Sequence, residues 1–325
     1  MEQELPDLDT ELAASLEAIP EEYLPTNVLD FDDLPASRDQ AAQLSEMMLA
    51  EAPAFPEVES EDVTVPGPTD DQELPLRIYR PVEAEPGLPG IYWIHGGGMV
   101  MGGLDQEDPN CERFVDELNC VVVSVDYRLA PEHPYPAPVD DCHAGLEWVA
   151  ENAADVGIDS SRLAIAGPSA GGGLSAAVAL RARDEGGPEL RYQMLIYPML
   201  DDRNITESSK QITDIGIWDR GTNRQAWDAY LGDLSASDEL PPDAAPGRVA
   251  DLSGLPPTFI DVGTHDVFRD ESKSYAERLT NGGVPTEFHL WPGAYHGYDG
   301  LAPDAQLAQE TWETRLAALG RALTE

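Results

Sequence analysis

A chain of 325 residues with 42% hydrophobic side chains is long enough to bury a full core, and its 62 carboxylates against 19 lysines and arginines give a formal charge of -43. So acidic a surface repels a phosphate backbone, which excludes nucleic acid as a partner. The lack of any run of about 18 apolar residues excludes a membrane-inserted helix.

Residues 1–7 carry neither the basic region nor the apolar stretch of a secretory signal, so a cytoplasmic location is expected. Two stretches then show helical spacing. Leu12, Leu16 and Ile19 share one face of residues 9–19, and Ala41, Leu44 and Met48 share one face of residues 37–49, with Pro20, Pro25 and Pro35 as punctuation. Residues 1–60 are therefore expected to form an N-terminal cap segment on a catalytic domain spanning residues 61–325. The first 71 residues hold 20 carboxylates and one cation, Arg38, but the acidic excess runs through the rest of the chain as well. Lysine is reduced to Lys210 and Lys273. A surface of this kind repels itself at low salt and is screened at high salt, which points to a halophilic or salt-accumulating organism.

Alternating residues 62–65 and 74–79 predict early, partly exposed strands. Apolar runs at 90–94, 120–125, 163–166, 194–197 and 258–262 predict buried strands, and a last strand is expected at 286–290. Helices are expected at 138–151, 170–185, 271–281 and 305–323. Strands alternating with helices build a mostly parallel sheet covered on both faces, the α/β class. Residues 200–250 are too long for a plain crossover and are expected to form an inserted cap or lid, with a helix at 222–231 and a proline-rich link at Pro241-Pro242-Asp243. Cys111, Cys120 and Cys142 fit neither a disulfide framework nor a zinc spacing and are read as core or helix residues.

The chemistry is organised around Gly167-Pro168-Ser169-Ala170-Gly171-Gly172-Gly173, which lies between an apolar strand and a small-residue helix pattern. G-x-S-x-G at a strand-to-helix turn holds a serine in a strained conformation with its hydroxyl clear of the sheet, so Ser169 is the candidate nucleophile. A serine hydroxyl needs a base, a group to orient that base, and donors for the developing oxyanion. The donors are expected from His95-Gly96-Gly97-Gly98, a glycine run after a buried strand, together with the residue after the serine: the N–H groups of Gly97, Gly98 and Ala170.

His95-Gly96-Gly97-Gly98-Met99, the Gly167 to Gly172 elbow, and a third segment running Asp126-Tyr127-Arg128-Leu129-Ala130-Pro131-Glu132-His133-Pro134-Tyr135-Pro136-Ala137 together resemble the hormone-sensitive-lipase-like family of α/β-hydrolase esterases. The likeness covers residues from about 72 to the C-terminus. It implies an α/β-hydrolase fold, a serine carboxylesterase acting through an acyl-enzyme, small-molecule ester substrates, and no metal or organic cofactor.

The triad order of this fold, serine then acid then histidine, leaves His265, His289 and His296 as possible bases. His289 lies in a strand pattern, and His265 is adjacent in sequence to Asp266, which leaves little freedom for one to orient the other. His296, in the loop Pro292 to Gly297, is the preferred base. Asp266 follows the end of a strand, where functional groups of such sheets collect, and the resemblance gives it the acid's place; Asp201 or Asp202 is the alternative. His95, Tyr127, Arg128 and Glu132 are expected to brace the site. Met99, Tyr197, Ile215 and Trp218 are candidate pocket walls.

Two departures from the family stand at the elbow: Pro168, where a polar residue is usual, and Gly173, where Asn is frequent. The expected activity is hydrolysis of short- to medium-chain acyl esters. An amidase, lactonase or carbamate hydrolase could use the same triad. A ligand receptor on the same scaffold is a reading of another class, and the presence of His296 argues against it.

Overall fold

The computed structural model describes residues 7–19, 29–49, 53–69, 71–235 and 237–324. Eight strands form one sheet: β1 (Val58–Pro66), β2 (Glu73–Pro81), β3 (Leu88–Ile94), β4 (Val121–Val125), β5 (Ile158–Pro168), β6 (Tyr192–Ile196), β7 (Thr258–His265) and β8 (Thr286–Tyr295). Their spatial order is β1-β2-β4-β3-β5-β6-β7-β8. β1 and β2 pair antiparallel, as do β2 and β4; the remaining neighbours are parallel. Each strand predicted from the sequence is present, and the first three residues of β1 lie inside the segment expected as the N-terminal cap.

Among the described residues the α-helices are α1 (Thr10–Ala18), α2 (Leu34–Leu49), α3 (Asp108–Leu118), α4 (Ala137–Glu151), α5 (Ala170–Glu185), α6 (Glu207–Gln211), α7 (Arg220–Leu231), α8 (Arg269–Asn281), α9 (Tyr298–Leu301) and α10 (Gln306–Thr324). Local chemistry sets their ends. Asp9 caps α1 by accepting from the N–H groups of Glu11 and Leu12 at 2.9 and 3.2 Å, and Asp219 caps α7 by accepting from Thr222 N–H at 2.8 Å. α5 stops at Gly186, whose φ of 88° closes the last turn.

Neighbouring residues of β3 divide the helices between the two faces of the sheet. Successive strand side chains point to opposite sides. Tyr92 donates its hydroxyl to the Cys142 carbonyl of α4 at 2.8 Å, whereas the Trp93 ring packs on Phe114 of α3 at 5.4 Å, and Phe114 packs on Trp312 of α10 at 5.3 Å. β3 is thus covered on both sides, and its fully buried Ile91 and Ile94 each contribute about 1.5–3 kcal/mol relative to exposure. Cys111, Cys120 and Cys142 are buried free thiols.

The N-terminal segment rests on the body at two points. Leu12 of α1 is buried among Ala294, Tyr295, Tyr298, Ala305 and Ala308, and the Ser15 hydroxyl meets that of Tyr295 at 2.7 Å. Arg38 of α2 donates to the carbonyls of Val100 and Ala130 at 2.7 and 2.9 Å and forks onto both oxygens of Glu132 at 2.8 Å. Between β6 and β7 lie α6 and α7. Leu44 of α2 is only half buried, and the side chain of Met48 lies outside the described residues.

Candidate active site

The elbow forms because backbone meets backbone. A methyl group on Gly171 would lie 1.9 Å from the Ile94 carbonyl oxygen, and one on Gly167 would lie 2.4 Å from the same atom. Only glycine lets the start of α5 touch the end of β3. Ser169, between them, is held at φ 56° and ψ -119°, a strained conformation for a residue with a side chain. Its N–H donates to Ile196 at 2.8 Å, and its carbonyl accepts from Met199 and Gly173 at 2.9 and 3.0 Å.

Pro168 costs the sheet no ladder bond. Since Ser169 N–H faces β6, the nitrogen one residue earlier faces the β3 side, where pairing with β5 has ended at Trp93 and Ala166. Gly173 has its own steric reason: a Cβ there would sit 2.0 Å from the Met199 carbonyl oxygen, so asparagine would not fit without a shift of the backbone.

Two side chains from two further loops line up on Ser169. His296, just past β8, places Nε2 2.9 Å from Ser169 Oγ and Nδ1 2.8 Å from Asp266 Oδ2. Asp266 lies beyond the end of β7, fully buried, and its other oxygen accepts Phe268 N–H at 2.8 Å. Ser169 and His296 are also buried, so a charge on the imidazole would face Asp266 with little water to screen it. The imidazole is wedged between ring edges: Tyr197 at 4.8 Å and Phe268 at 5.1 Å.

The other candidates for base and acid are committed elsewhere. His289 bonds Glu287 at 2.9 Å and stacks on Phe259 and Trp291. His265 Nδ1 lies 3.1 Å from the hydroxyl of its neighbour Thr264. Asp201 pairs with Arg203, and Asp202 with Arg248.

The glycine loop lies against the elbow. Gly97 and Gly98 adopt φ of 100° and 62°, conformations that favour glycine, and a Cβ on Gly97 would lie 2.2 Å from the Met101 carbonyl oxygen. Ala170 occupies the first position of α5, where the main-chain N–H has no carbonyl one turn before it and the helix dipole favours negative charge. Gly97→Ala is expected to lower kcat by about 10²-fold or more, the scale of one lost oxyanion donor, with backbone strain of about 1–3 kcal/mol. Steady-state kinetics together with a melting curve checks this; an unchanged kcat would remove the loop from the chemistry.

The residues expected to brace the site are held as follows. His95 stacks on Tyr127 at 4.1 Å and its Nδ1 lies 2.8 Å from the Gly96 carbonyl, which can only accept, so that nitrogen carries the proton. Burial pulls His95 down to about 4, which keeps it neutral at pH 7. Tyr127 donates to the His95 carbonyl at 3.1 Å, and Arg128 forks onto Asp141 at 2.8 and 2.7 Å.

Of the candidate walls, Trp218 sits directly on the loop, its ring 2.3 Å from where a Cβ of Gly98 would be and 6.5 Å between centroids from His296. Its indole N–H donates to Asn223 at 3.2 Å, and Asn223 in turn donates to Asn204 at 2.8 Å. Tyr197, at φ 33°, touches His296 as described. Ile215 is partly buried against the cluster around Tyr295. Met99 is buried in the core, and its carbonyl accepts from Ala130 N–H at 2.9 Å.

The sequence reading missed a buried polar group behind the imidazole. Tyr197 donates its hydroxyl to Asp299 at 3.0 Å, and Arg315 joins Asp299 to Asp261. A second missed residue is Glu107, a buried carboxylate that accepts from Trp93 Nε1–H at 2.9 Å. No contiguous motif marks either of them.

A model of the alpha/beta hydrolase fold matches residues 91–299. The chain is 42% identical over 320 residues to carboxylesterase NlhH of Mycobacterium tuberculosis (strain ATCC 25618 / H37Rv), covering 98% of this chain and 97% of that protein. It is 32% identical over 285 residues to an arylesterase of Saccharolobus solfataricus, covering 86% and 89% respectively. Among solved structures it is similar to a bacterial heroin esterase, with a TM-score of 0.92, 38% identity and 99% of each chain covered.

Proposed function

For a chain that belongs to the α/β-hydrolase fold family, with relatives named as esterases along nearly its whole length, we propose the function of a carboxylic ester hydrolase acting on short- to medium-chain acyl esters. The observation that carries it is the continuous hydrogen-bonded chain from Ser169 Oγ through His296 to Asp266.

In this reading Ser169 Oγ attacks the ester carbonyl as His296 Nε2 takes its proton. The negative charge moves to the carbonyl oxygen, which the N–H groups of Gly97, Gly98 and Ala170 receive. Collapse of the tetrahedral intermediate breaks the bond to the alcohol, whose oxygen takes the proton back from His296. Water, deprotonated by the same imidazole, then releases the acid and restores Ser169. Asp266 holds the ring with Nε2 facing the serine and stabilises its charged form. The seat of Trp218 on Gly98 gives the insertion the part of a lid, and favours compact acyl groups. A chain-length panel of chromogenic esters tests this: activity should peak at short to medium acyl chains and vanish with Ser169→Ala. A peak at long chains would overturn the substrate range.

The acidic surface belongs to the same proposal, as the mark of a salt-rich cytoplasm. Cations are shared among several carboxylates: Arg77 bonds Asp62, Asp105 and Asp108, and Arg80 bonds Glu59 and Glu61. Most of the repulsion is left to salt, since the Debye length shrinks from about 10 Å at 0.1 M to about 3 Å at 1 M. Raising KCl from about 0.1 to about 2 M is expected to lift Tm by at least about 5 °C, roughly 3 kcal/mol for a chain of this size. A Tm that stays level or falls would overturn the halophilic reading.

A further inference from the structure

We propose that Tyr197 is a positioning residue for the base: its ring, tethered through the hydroxyl to Asp299, holds the imidazole of His296 at the tilt that keeps Nε2 on Ser169 Oγ. This role rests on the hydrolytic reading above.

Two hydrogen bonds set the imidazole, from Nε2 to Ser169 Oγ at 2.9 Å and from Nδ1 to Asp266 Oδ2 at 2.8 Å. Together they fix a line across the ring. Tilt about that line is left to the side chains packed on the imidazole. Tyr197 packs there with ring centroids 4.8 Å apart and planes at 69°, and Phe268 with 5.1 Å and 81°. Near-perpendicular ring pairs at this separation are a favoured geometry, so tilting the imidazole gives up contact energy.

Tyr197 is held where it stands from both ends. It follows the last residue of β6 at φ 33°, a strained value for a residue with a side chain, and such strain persists only where the surroundings over-determine it. Its N–H donates to the Asp261 carbonyl at 2.8 Å, and its hydroxyl donates to Asp299 Oδ1 at 3.0 Å. The other oxygen of Asp299 takes the buried guanidinium of Arg315, whose central carbon lies 5.4 Å from the centre of the Tyr197 ring. Asp299 belongs to α9, just past His296, so the phenol ties the end of β6 to the turn that carries the base. The residue before Tyr197 completes the link, because the Ile196 carbonyl accepts Ser169 N–H at 2.8 Å. Ile196-Tyr197 therefore bonds to the backbone of the nucleophile and packs on the ring of the base.

In the hydrolytic cycle Nε2 takes the proton of Ser169 Oγ and then gives it to the departing alcohol oxygen, so a tilted ring impairs both transfers. Misplacement by about 1 Å can cost about 10²-fold. The second transfer matters most for a basic leaving group: an alkoxide departs poorly without a proton, whereas p-nitrophenolate departs without one. The test therefore measures kcat/KM, which reports acylation, for ethyl, 2,2,2-trifluoroethyl and p-nitrophenyl butyrate, three esters with one acyl group. Tyr197→Phe removes the tether and keeps the ring. It is expected to lower kcat/KM by about threefold on the p-nitrophenyl ester and by about tenfold or more on the ethyl ester, with trifluoroethyl between them. Tyr197→Ala, which removes the ring as well, should cost about tenfold and about 10²-fold on the same two esters.

An unchanged kcat/KM in Tyr197→Phe, or a loss that does not grow with the basicity of the leaving alcohol, would overturn the proposal, since weakened folding or an altered acyl pocket lowers all three esters alike. Tyr197→Phe leaves Asp299 paired with Arg315, and a melting curve confirms that it folds. Should Tyr197→Ala fail to fold, Tyr197→Phe decides alone. Ser169→Ala run in parallel separates the two levels. Activity surviving in Ser169→Ala would sink the hydrolytic reading itself. An inactive Ser169→Ala together with an unaltered Tyr197→Phe would sink only the role of Tyr197.

Discussion

Ser169→Ala is expected to lower kcat for p-nitrophenyl butyrate by about 10⁶-fold, leaving a residue of about 10³–10⁴ over water from the oxyanion donors and binding. The size follows from geometry. Ser169, His296 and Asp266 stand in one hydrogen-bonded line with separations of 2.9 and 2.8 Å, so in the proposed mechanism removing one member idles the other two. The substitution deletes one oxygen and keeps the Cβ, so the φ of 56° is no more strained than before, and stability should stay within about 0.5 kcal/mol. Turnover and melting temperature measured on the same preparation check both halves. A kcat within tenfold of wild type would show that Ser169 is not the nucleophile.

The elbow, the glycine loop and the triad order were legible in the sequence because each is local: glycines at fixed spacing declare close backbone approach, and chain order cuts six histidines to three. The strands were legible because a sheet buried on both faces needs continuous apolar runs. Their ends were less so. Pro292-Gly293 reads as a loop, yet β8 continues through them to Tyr295, accommodated by a register shift in its pairing with β7 between Gly263 and His265. Helix α3 was not anticipated, although Cys111, Phe114, Val115 and Leu118 have helical spacing, the first three of them buried.

Groups defined by tertiary burial left no trace in the sequence. Glu107 is one of 62 carboxylates, and nothing in its neighbours distinguishes it from a solvated charge. Glu271 is similar: burial pushes its carboxyl well above the usual range, although it accepts the N–H groups of Leu200 and Asp201 at the start of the insertion. In a chain this acidic, only the fold separates the few carboxylates that hold the site together from the many that face solvent.

Arg315→Met is expected to destabilise the protein by about 3–5 kcal/mol, the cost of removing one partner from a buried ionic group. Arg315 is fully buried, with Nε 2.7 Å from Asp261 Oδ2, a second nitrogen 3.3 Å from Asp261 Oδ1, and a third bonded to Asp299. Trp291 Nε1–H adds a neutral donor to Asp261 at 3.2 Å, and the Tyr197 hydroxyl adds one to Asp299. Methionine fills much of the volume but leaves two carboxylates without a cation. The sign of the pH dependence follows. Burial already holds Asp261 above the usual carboxylate range against the pull of Arg315, and loss of the guanidinium raises it further. A folded-state value above the unfolded one means that the folded form holds its proton more tightly, so stability is lost as pH rises through that window. The deficit of Arg315→Met should therefore be full at pH values above the folded-state value of Asp261 and shrink as pH falls through that value toward about 3, where the carboxyl is neutral in both states. Adding Asp261→Asn and Asp299→Asn to Arg315→Met should recover much of the loss at every pH, because uncharged partners do not need the cation. Urea denaturation of the single and triple variants at several pH values provides the measurement. A deficit that is independent of pH and persists in the triple variant would assign the cost to lost packing around Trp312 and Tyr197 rather than to the stranded charges.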